Sequence, residues 1–195
     1  MNEYGRSIRA DLTRLGVSGG DSVLVHSSLH SLGKFENRAQ ILIDALMEVL
    51  GPEGNLLLPA LSYESVTPLH PSFDIHQTPS CVGGLTEYFR HRPDVYRSLH
   101  PTHSVCATGK SARDFIRDHH LDSTPCGEKS PFRLLKEADG YLLFLGCGMK
   151  PNTSMHGVEE FVEPVYLFGE TLEYTLITEA GEITEQQRLP AWQGP

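Results

Sequence analysis

Short apolar segments of strand type alternate with segments of helical periodicity along most of this chain. The run SVLVH at residues 22–26 and the run NLLLP at residues 55–59 each have the length and composition of a buried strand. Two later runs, SVCAT at 104–108 and YLLFLG at 141–146, have the same character. Strands that alternate with helices favour an α/β fold, here with a mainly parallel central sheet flanked by helices.

Capping residues predict where the helices begin and end. Helical periodicity from Glu3 to Leu15 stops at Gly16, and a second helix is predicted from an Asn37 cap to Leu50. Further helical patterns start near residue 85, at residue 111 and within residues 152–161. The proline-containing segment 62–80 is predicted to be a long surface loop, and the residues around 180–181 a C-terminal β-hairpin.

The bulk composition limits the classes of function. A chain of 195 residues suits one α/β domain over residues 1–195, and the net charge of −9 argues against a nucleic-acid partner. The N-terminal residues lack the apolar core of a signal peptide, and no segment approaches the roughly 18 apolar residues of a membrane span. We therefore expect a cytoplasmic protein with no membrane partner, and four reduced cysteines without a C-x-x-C pair.

One pair of residues has the spacing of a general base and its partner. In NTSMHGVEEF, at residues 152–161, His156 and Glu159 are three positions apart, with Thr153 or Ser154 as the N-cap. That spacing places both side chains on one helix face, where a carboxylate can orient an imidazole. The same spacing also occurs in ordinary surface contacts, so spacing alone leaves both interpretations open.

Two polar segments adjoin predicted strands. HSSLHSLG, at residues 26–33, has hydroxyls and a glycine that could bond a phosphate or an amide, although neither a Walker loop nor a dinucleotide fingerprint is present. An ordinary strand-to-helix turn explains this segment equally well. In RSLHPTHS, at residues 97–104, Arg97 could meet a phosphate and the hydroxyls could line a pocket.

Other chemistries find less support in the sequence. The histidines lack the H-E-x-x-H spacing of a zinc site, so we expect no metal. Four histidines could nevertheless converge in the fold, namely His26, His30, His100 and His103. Cys126, in TPCGEKSP, is the only cysteine that we predict to lie in an exposed loop. A cysteine acyltransferase, with Cys126 as its nucleophile, is therefore an alternative.

Taken together, the segments resemble one family. VHSSLHSLG, GPEGNLLLPA, the FD pair at residue 74, RSLHPTHSVCATG, PCGEKSPF and NTSMHGVEEF occur in the order found in aminoglycoside 3-N-acetyltransferases, over about residues 6–168. The resemblance implies that family's own α/β fold, different from the common small acetyltransferase fold. It also implies transfer of an acetyl group from acetyl-coenzyme A to the 3-amino group of an aminoglycoside, which confers antibiotic resistance.

The resemblance also implies roles for particular residues. His156 and Glu159 fall on the catalytic pair, with direct transfer and no metal. Asp74, with Glu159, is implied as a ligand of the substrate ammonium, and Asp74 could instead be a second carboxylate that orients the base. The implied coenzyme A contacts are Ser27, Ser28, Leu29, Arg97, Ser98, His103, Ser104 and Phe132. Family members normally extend several tens of residues further, so a chain truncated at its C-terminus is expected.

Three alternatives stay open at this stage. The acceptor could be another amine, such as an amino sugar or an antibiotic precursor; Cys126 could carry the acyl group; or the chain could be a non-catalytic coenzyme A-binding protein. A homodimer is one candidate for its assembly.

Overall fold

The computed structural model describes residues 3–178 and 180–190. The helices are α1 (Glu3–Arg14), α2 (Arg38–Leu50), α3 (Gly84–Arg90), α4 (Ala112–Ile116), α5 (Pro131–Glu137) and α6 (Ser154–Glu159), with a 3₁₀ turn at His119–Leu121. The strands are β1 (Ser22–Ser27), β2 (Asn55–Pro59), β3 (Ser72–Asp74), β4 (Tyr96–Arg97), β5 (Val105–Gly109), β6 (Tyr141–Leu145), β7 (Phe168–Thr178) and β8 (Gly181–Pro190).

The central sheet has five strands in the order β4-β5-β2-β1-β6. β1 pairs in parallel with β2 and β6, whereas β5 is antiparallel to both β2 and β4. The predicted α/β fold is confirmed, with an antiparallel part that the strand–helix pattern did not show. For the β4–β5 pair the reason is the short connection 98–104, which leaves no room for the crossover that a parallel pair needs.

Helices cover both faces of this sheet. Val23 and Val25 point to the face covered by α1, α2 and α3, whereas Leu24 points to the face covered by α4 and α5. Successive side chains of a strand alternate between faces, so the apolar run of β1 fills two separate cores at once. The layers are therefore helix, sheet, helix.

A smaller sheet, in the order β3-β7-β8, packs around Phe73, Tyr174 and Leu176. The predicted C-terminal hairpin is confirmed, since Thr178 pairs with Gly181 at its turn. The prediction of a surface loop over residues 62–80 is wrong in part. That segment contains β3, which runs parallel to β7 and buries the whole ring of Phe73.

The ends of the helices follow the predicted signals only in part. Gly16 has φ 100°, as a left-handed cap requires, but Asn37 precedes α2 without a side-chain hydrogen bond to it. Helix α5 was not predicted, although Ser130 and Pro131 mark its start: the Ser130 Oγ accepts the Arg133 N–H at 3.2 Å. Among the residues that the structure describes, no helix combines the length and the hydropathy of a membrane span.

Candidate active site

Several polar segments converge at one edge of the central sheet. The parallel strands β1, β2 and β6 all end there, and the turn 98–104 reaches the same edge because Pro59 pairs with Val105. Beyond that pair, the Ala60 N–H donates to the Ser104 carbonyl at 2.8 Å. The carboxyl edge of parallel strands is where open α/β sheets usually bind ligands.

Helix α6 carries the predicted pair. The Nδ1 of His156 lies 3.0 Å from the Oε2 of Glu159, and the two side chains are 29% and 37% exposed. An ionised carboxylate only accepts hydrogen bonds, so Nδ1 carries the ring proton and Nε2 keeps its lone pair. This tautomer is the one that a general base needs.

His103, in the turn 98–104, lies against the ring of His156. The two ring centroids are 6.1 Å apart and the planes are nearly perpendicular. The His103 Nδ1 is 2.8 Å from the Thr102 Oγ1. Burial, followed by the nearby charges of His156 and His119, lowers the pKa of His103 to about 3, so its ring is neutral at pH 7.

Two further imidazoles support the turn from inside. The Nδ1 of His100 accepts the N–H groups of Thr102 and His103 at 3.3 and 3.0 Å. The ring of His119 lies 4.6 Å from that of His100 and bonds the Ser98 hydroxyl at 2.9 Å. Burial lowers the pKa of His119 to about 4. These contacts fix the backbone that presents His103.

Four of the residues expected to contact coenzyme A lie in the interior. Four of the five N–H groups of Arg97 donate to the Ser104 hydroxyl and to the carbonyls of Ala60, Ile75 and Thr78. Ser98 and Ser104 are fully buried, and Phe132 packs in the core with α4 and α5. In this structure the four residues hold the scaffold together, and a contact with coenzyme A stays a prediction.

The loop after β1 is more accessible. Ser27, Ser28 and Leu29 are half-buried, and the Ser28 N–H donates to the Leu145 carbonyl at 2.9 Å. Behind them, His26 stacks on Phe144 with ring centroids 5.2 Å apart. Burial lowers the pKa of His26 to about 4. The loop therefore stands at the same sheet edge as the turn 98–104.

Asp74 lies at the end of β3 in the smaller sheet, next to Ile75, whose carbonyl Arg97 bonds. Its Oδ1 accepts the N–H groups of His76 and Gln77 at 2.8 and 2.9 Å, so part of this carboxylate already shapes its own loop. The structure does not place Asp74 on the turn or the helix that carry the imidazoles. A role as a substrate ligand stays a prediction.

The prediction that Cys126 lies in an exposed loop is wrong. Cys126 is only 5% exposed, and its thiol donates to the Thr153 carbonyl at 3.7 Å, beneath α6. Burial and the charge of Glu160 raise the pKa of this thiol well above its usual value. A protonated, buried thiol is a poor nucleophile, which argues against the cysteine acyltransferase alternative.

The structure adds residues that the sequence did not single out. The ring of Tyr63 lies 6.3 Å from that of His103, on the open side of the turn. Glu160 bonds the segment 124–126, and its four-residue spacing from His156 was the one available signal for it. Within residues 3–178 and 180–190, no group of three or more His, Cys, Asp or Glu side chains is arranged to hold a metal ion.

The fold is similar to that of solved acetyltransferases. The structure of "AAC-IIIb binary with CoASH" superposes with a TM-score of 0.85 at 28% identity, covering 98% of this chain and 77% of that one. "AAC-VIa bound to Sisomicin" superposes with a TM-score of 0.76 at 27% identity, covering 94% of this chain and 74% of that one. The fold is therefore that of the antibiotic acetyltransferases, a class of α/β proteins.

Sequence comparison identifies the family. The family model described as aminoglycoside 3-N-acetyltransferase matches residues 24–192, and the chain belongs to that family. The SPbeta prophage-derived aminoglycoside N(3')-acetyltransferase-like protein YokD of Bacillus subtilis (strain 168) is 33% identical over 79% of this chain and 64% of its own length. The aminoglycoside N(3)-acetyltransferase IV of Salmonella sp is 36% identical over 80% of this chain and 58% of its own length. The chain thus spans about six tenths of the length of these relatives.

Proposed function

We propose that this chain transfers the acetyl group of acetyl-coenzyme A to an amino group of an aminoglycoside, with His156 as the general base. The observation that carries the proposal is the 3.0 Å contact between His156 and Glu159, beside His103 of the turn 98–104. Membership of the family supports the reaction type. The relative named for sisomicin and the one named for coenzyme A support the two substrates.

The chemistry follows from the proton positions. An aliphatic amine is mostly protonated at neutral pH, so Nε2 of His156 must take a proton before the nitrogen can attack. The amine nitrogen then bonds the thioester carbonyl carbon and the carbon–sulfur bond breaks. The nitrogen's second proton passes to the departing coenzyme A thiolate, so the products are the amide and coenzyme A thiol, and His156 later releases its proton to solvent. Glu159 stabilises the imidazolium that forms, and no acyl-enzyme intermediate is needed.

The amine could be the 3-amino group of an aminoglycoside, and acetylation there would remove a positive charge and confer resistance. The net charge of −9 favours a cationic acceptor over an anionic one. Another amine, such as an amino sugar, would meet the same base. Turnover measured with each amine distinguishes between these acceptors.

The test is the release of free coenzyme A thiol from acetyl-coenzyme A in the presence of a panel of aminoglycosides. We expect turnover by the wild type and a loss of at least about a hundredfold in His156→Ala, with binding of coenzyme A retained. Glu159→Gln should fall between the two, because it keeps a hydrogen-bond acceptor but removes the charge. Equal rates for the wild type and His156→Ala would refute the general-base assignment.

Two further measurements separate the alternatives. Intact-mass analysis after incubation with acetyl-coenzyme A alone should show no acetylated protein, whereas a route through a cysteine requires it. A non-catalytic coenzyme A-binding protein would bind acetyl-coenzyme A yet release no thiol with any amine, amino sugars included.

A further inference from the structure

Helix α6, which carries His156, has few stabilising interactions of its own. It has only six residues, none of them fully buried, and its N-cap Thr153 makes no side-chain capping bond. So short a helix gains little from its own hydrogen bonds, so tertiary contacts must fix it. The accuracy with which His156 is placed therefore depends on what the ends of α6 touch.

Glu160 provides the contacts at the C-terminal end. Its Oε2 accepts the Thr124 hydroxyl at 2.8 Å, and its Oε1 accepts the Cys126 N–H at 2.9 Å. At the other end, the Cys126 thiol donates to the Thr153 carbonyl. Both ends of α6 are thus bonded to the segment 124–126, which we call the 124–126 clamp.

Glu160 also lies beside His156. The two residues are four positions apart, and the Glu160 N–H donates to the His156 carbonyl at 2.8 Å, so their side chains share one helix face. The charge of His156 favours the ionised form of Glu160, against the effect of burial, which raises the pKa of this carboxyl. Two adjacent carboxylates therefore lie near one imidazole. Glu159 bonds the ring of His156, and Glu160 bonds the segment 124–126.

We propose that Glu160 is a positioning residue, which fixes His156 against His103 through the 124–126 clamp and places a second negative charge beside the imidazole. The catalytic part of this inference rests on the proposed function, whereas the contacts of Glu160 do not depend on it. Within the described part of the chain, the ionisable groups seen to interact with His156 are Glu159, Glu160 and the neutral His103.

The first experiment needs no turnover. The pKa of His156 is measured by NMR titration of its ring signal, assigned by its loss in His156→Asn, in the wild type, Glu160→Gln and Thr124→Val. Removing the negative charge of Glu160 disfavours the imidazolium, so we expect the titration midpoint of His156 to be lower in Glu160→Gln than in the wild type. Thr124→Val removes one hydrogen bond of the clamp but no charge, so the titration midpoint of His156 should be unchanged. The control Glu53→Gln removes an exposed carboxylate paired with Lys110, and should also leave it unchanged.

The second experiment measures kcat and KM for the same variants with an accepted amine. Glu160→Gln and Thr124→Val should each lose about three- to tenfold in kcat, with KM for acetyl-coenzyme A within twofold of the wild type. The double variant should lose less than the product of the two losses, because both remove the same clamp.

The outcomes separate this inference from the proposed function. If no amine is accepted, the proposed function fails, and the titration alone decides on Glu160. If Glu160→Gln leaves both the His156 pKa and kcat equal to those of Glu53→Gln, the inference is overturned. A parallel loss of kcat, acetyl-coenzyme A binding and melting temperature would also overturn it, since that pattern indicates only general loss of structure.

Discussion

Around His156 the buried imidazoles act as neutral hydrogen-bonding groups. His100 and His119 each direct a ring nitrogen at the backbone, and His103 presents its ring to His156. A neutral imidazole offers one donor and one acceptor, so it can satisfy a turn without adding a charge near the base. Unlike these three rings, His156 is 29% exposed and paired with a carboxylate, as the proposed general base requires.

The residues of the site differ in how far the sequence predicts them. His156 and Glu159 were predictable because helical spacing alone places them together. The burial of Cys126 was not, because it depends on α6 folding over the 124–126 clamp, a contact between distant segments. The interior position of Arg97 likewise depends on the carbonyl of Ala60, just after β2, and on that of Thr78, in the loop after β3.

Gly109, at the end of β5, provides a stability test at the scale of one residue. It has φ 119°, and a Cβ there would lie 2.2 Å from the Gly54 carbonyl oxygen. Gly109→Ala should lower the free energy of unfolding by about 1–3 kcal/mol or more, measured by urea denaturation. Gly84→Ala is the matched control, since no atom lies within 4 Å of its added Cβ. An equal effect of both substitutions would contradict this reasoning.

At the scale of elements, local patterns predict the strands of the central sheet better than their directions. β1, β2, β5 and β6 are runs of apolar residues, which the sequence shows directly. The antiparallel placement of β5 depends on how the chain returns after β4, and no local propensity encodes that. β3 has three residues and forms only because β7, about a hundred residues later, supplies its partner.

The packing of β3 is testable through Phe73. Its ring is fully buried against Tyr174 and Leu176, with the Arg97 guanidinium 4.7 Å above it. Phe73→Ala should lower the free energy of unfolding by about 3–5 kcal/mol, because it leaves a cavity between the strands. Ser72→Ala, on the exposed side of the same strand, should change it by less than about 0.5 kcal/mol. A small effect of Phe73→Ala would show that the second sheet adds little to stability.

At the scale of the whole molecule, buried histidines should make stability depend on pH. The pKa values of His26, His103 and His119 are lowered by burial to about 4, 3 and 4. The unfolded chain therefore binds more protons than the native state below about pH 6.5. The stabilisation is complete above that pH and is lost progressively as the pH falls from 6.5 towards these values.

Urea denaturation between pH 7.5 and 5 measures this dependence before most carboxylates titrate. The wild type should lose stability steadily below about pH 6.5. His26→Gln should show a shallower decline, by up to about 1.4 kcal/mol per pH unit, whereas exposed His70→Gln should match the wild type. The same slope in all three proteins would show that His26 is not held neutral.

The convergence of segments at one sheet edge also has a kinetic consequence. The turn 98–104 leads into β5, which lies between β4 and β2 in the sheet, and α6 meets this turn and the 124–126 clamp through contacts between distant segments of the chain. Such contacts join residues far apart in sequence, and closing long loops is the slow part of folding. We therefore expect helices α1 and α2 to pair early and the contact between His103 and His156 to form late. The candidate site would then be among the last parts that a refolding chain assembles and among the first that partial unfolding removes.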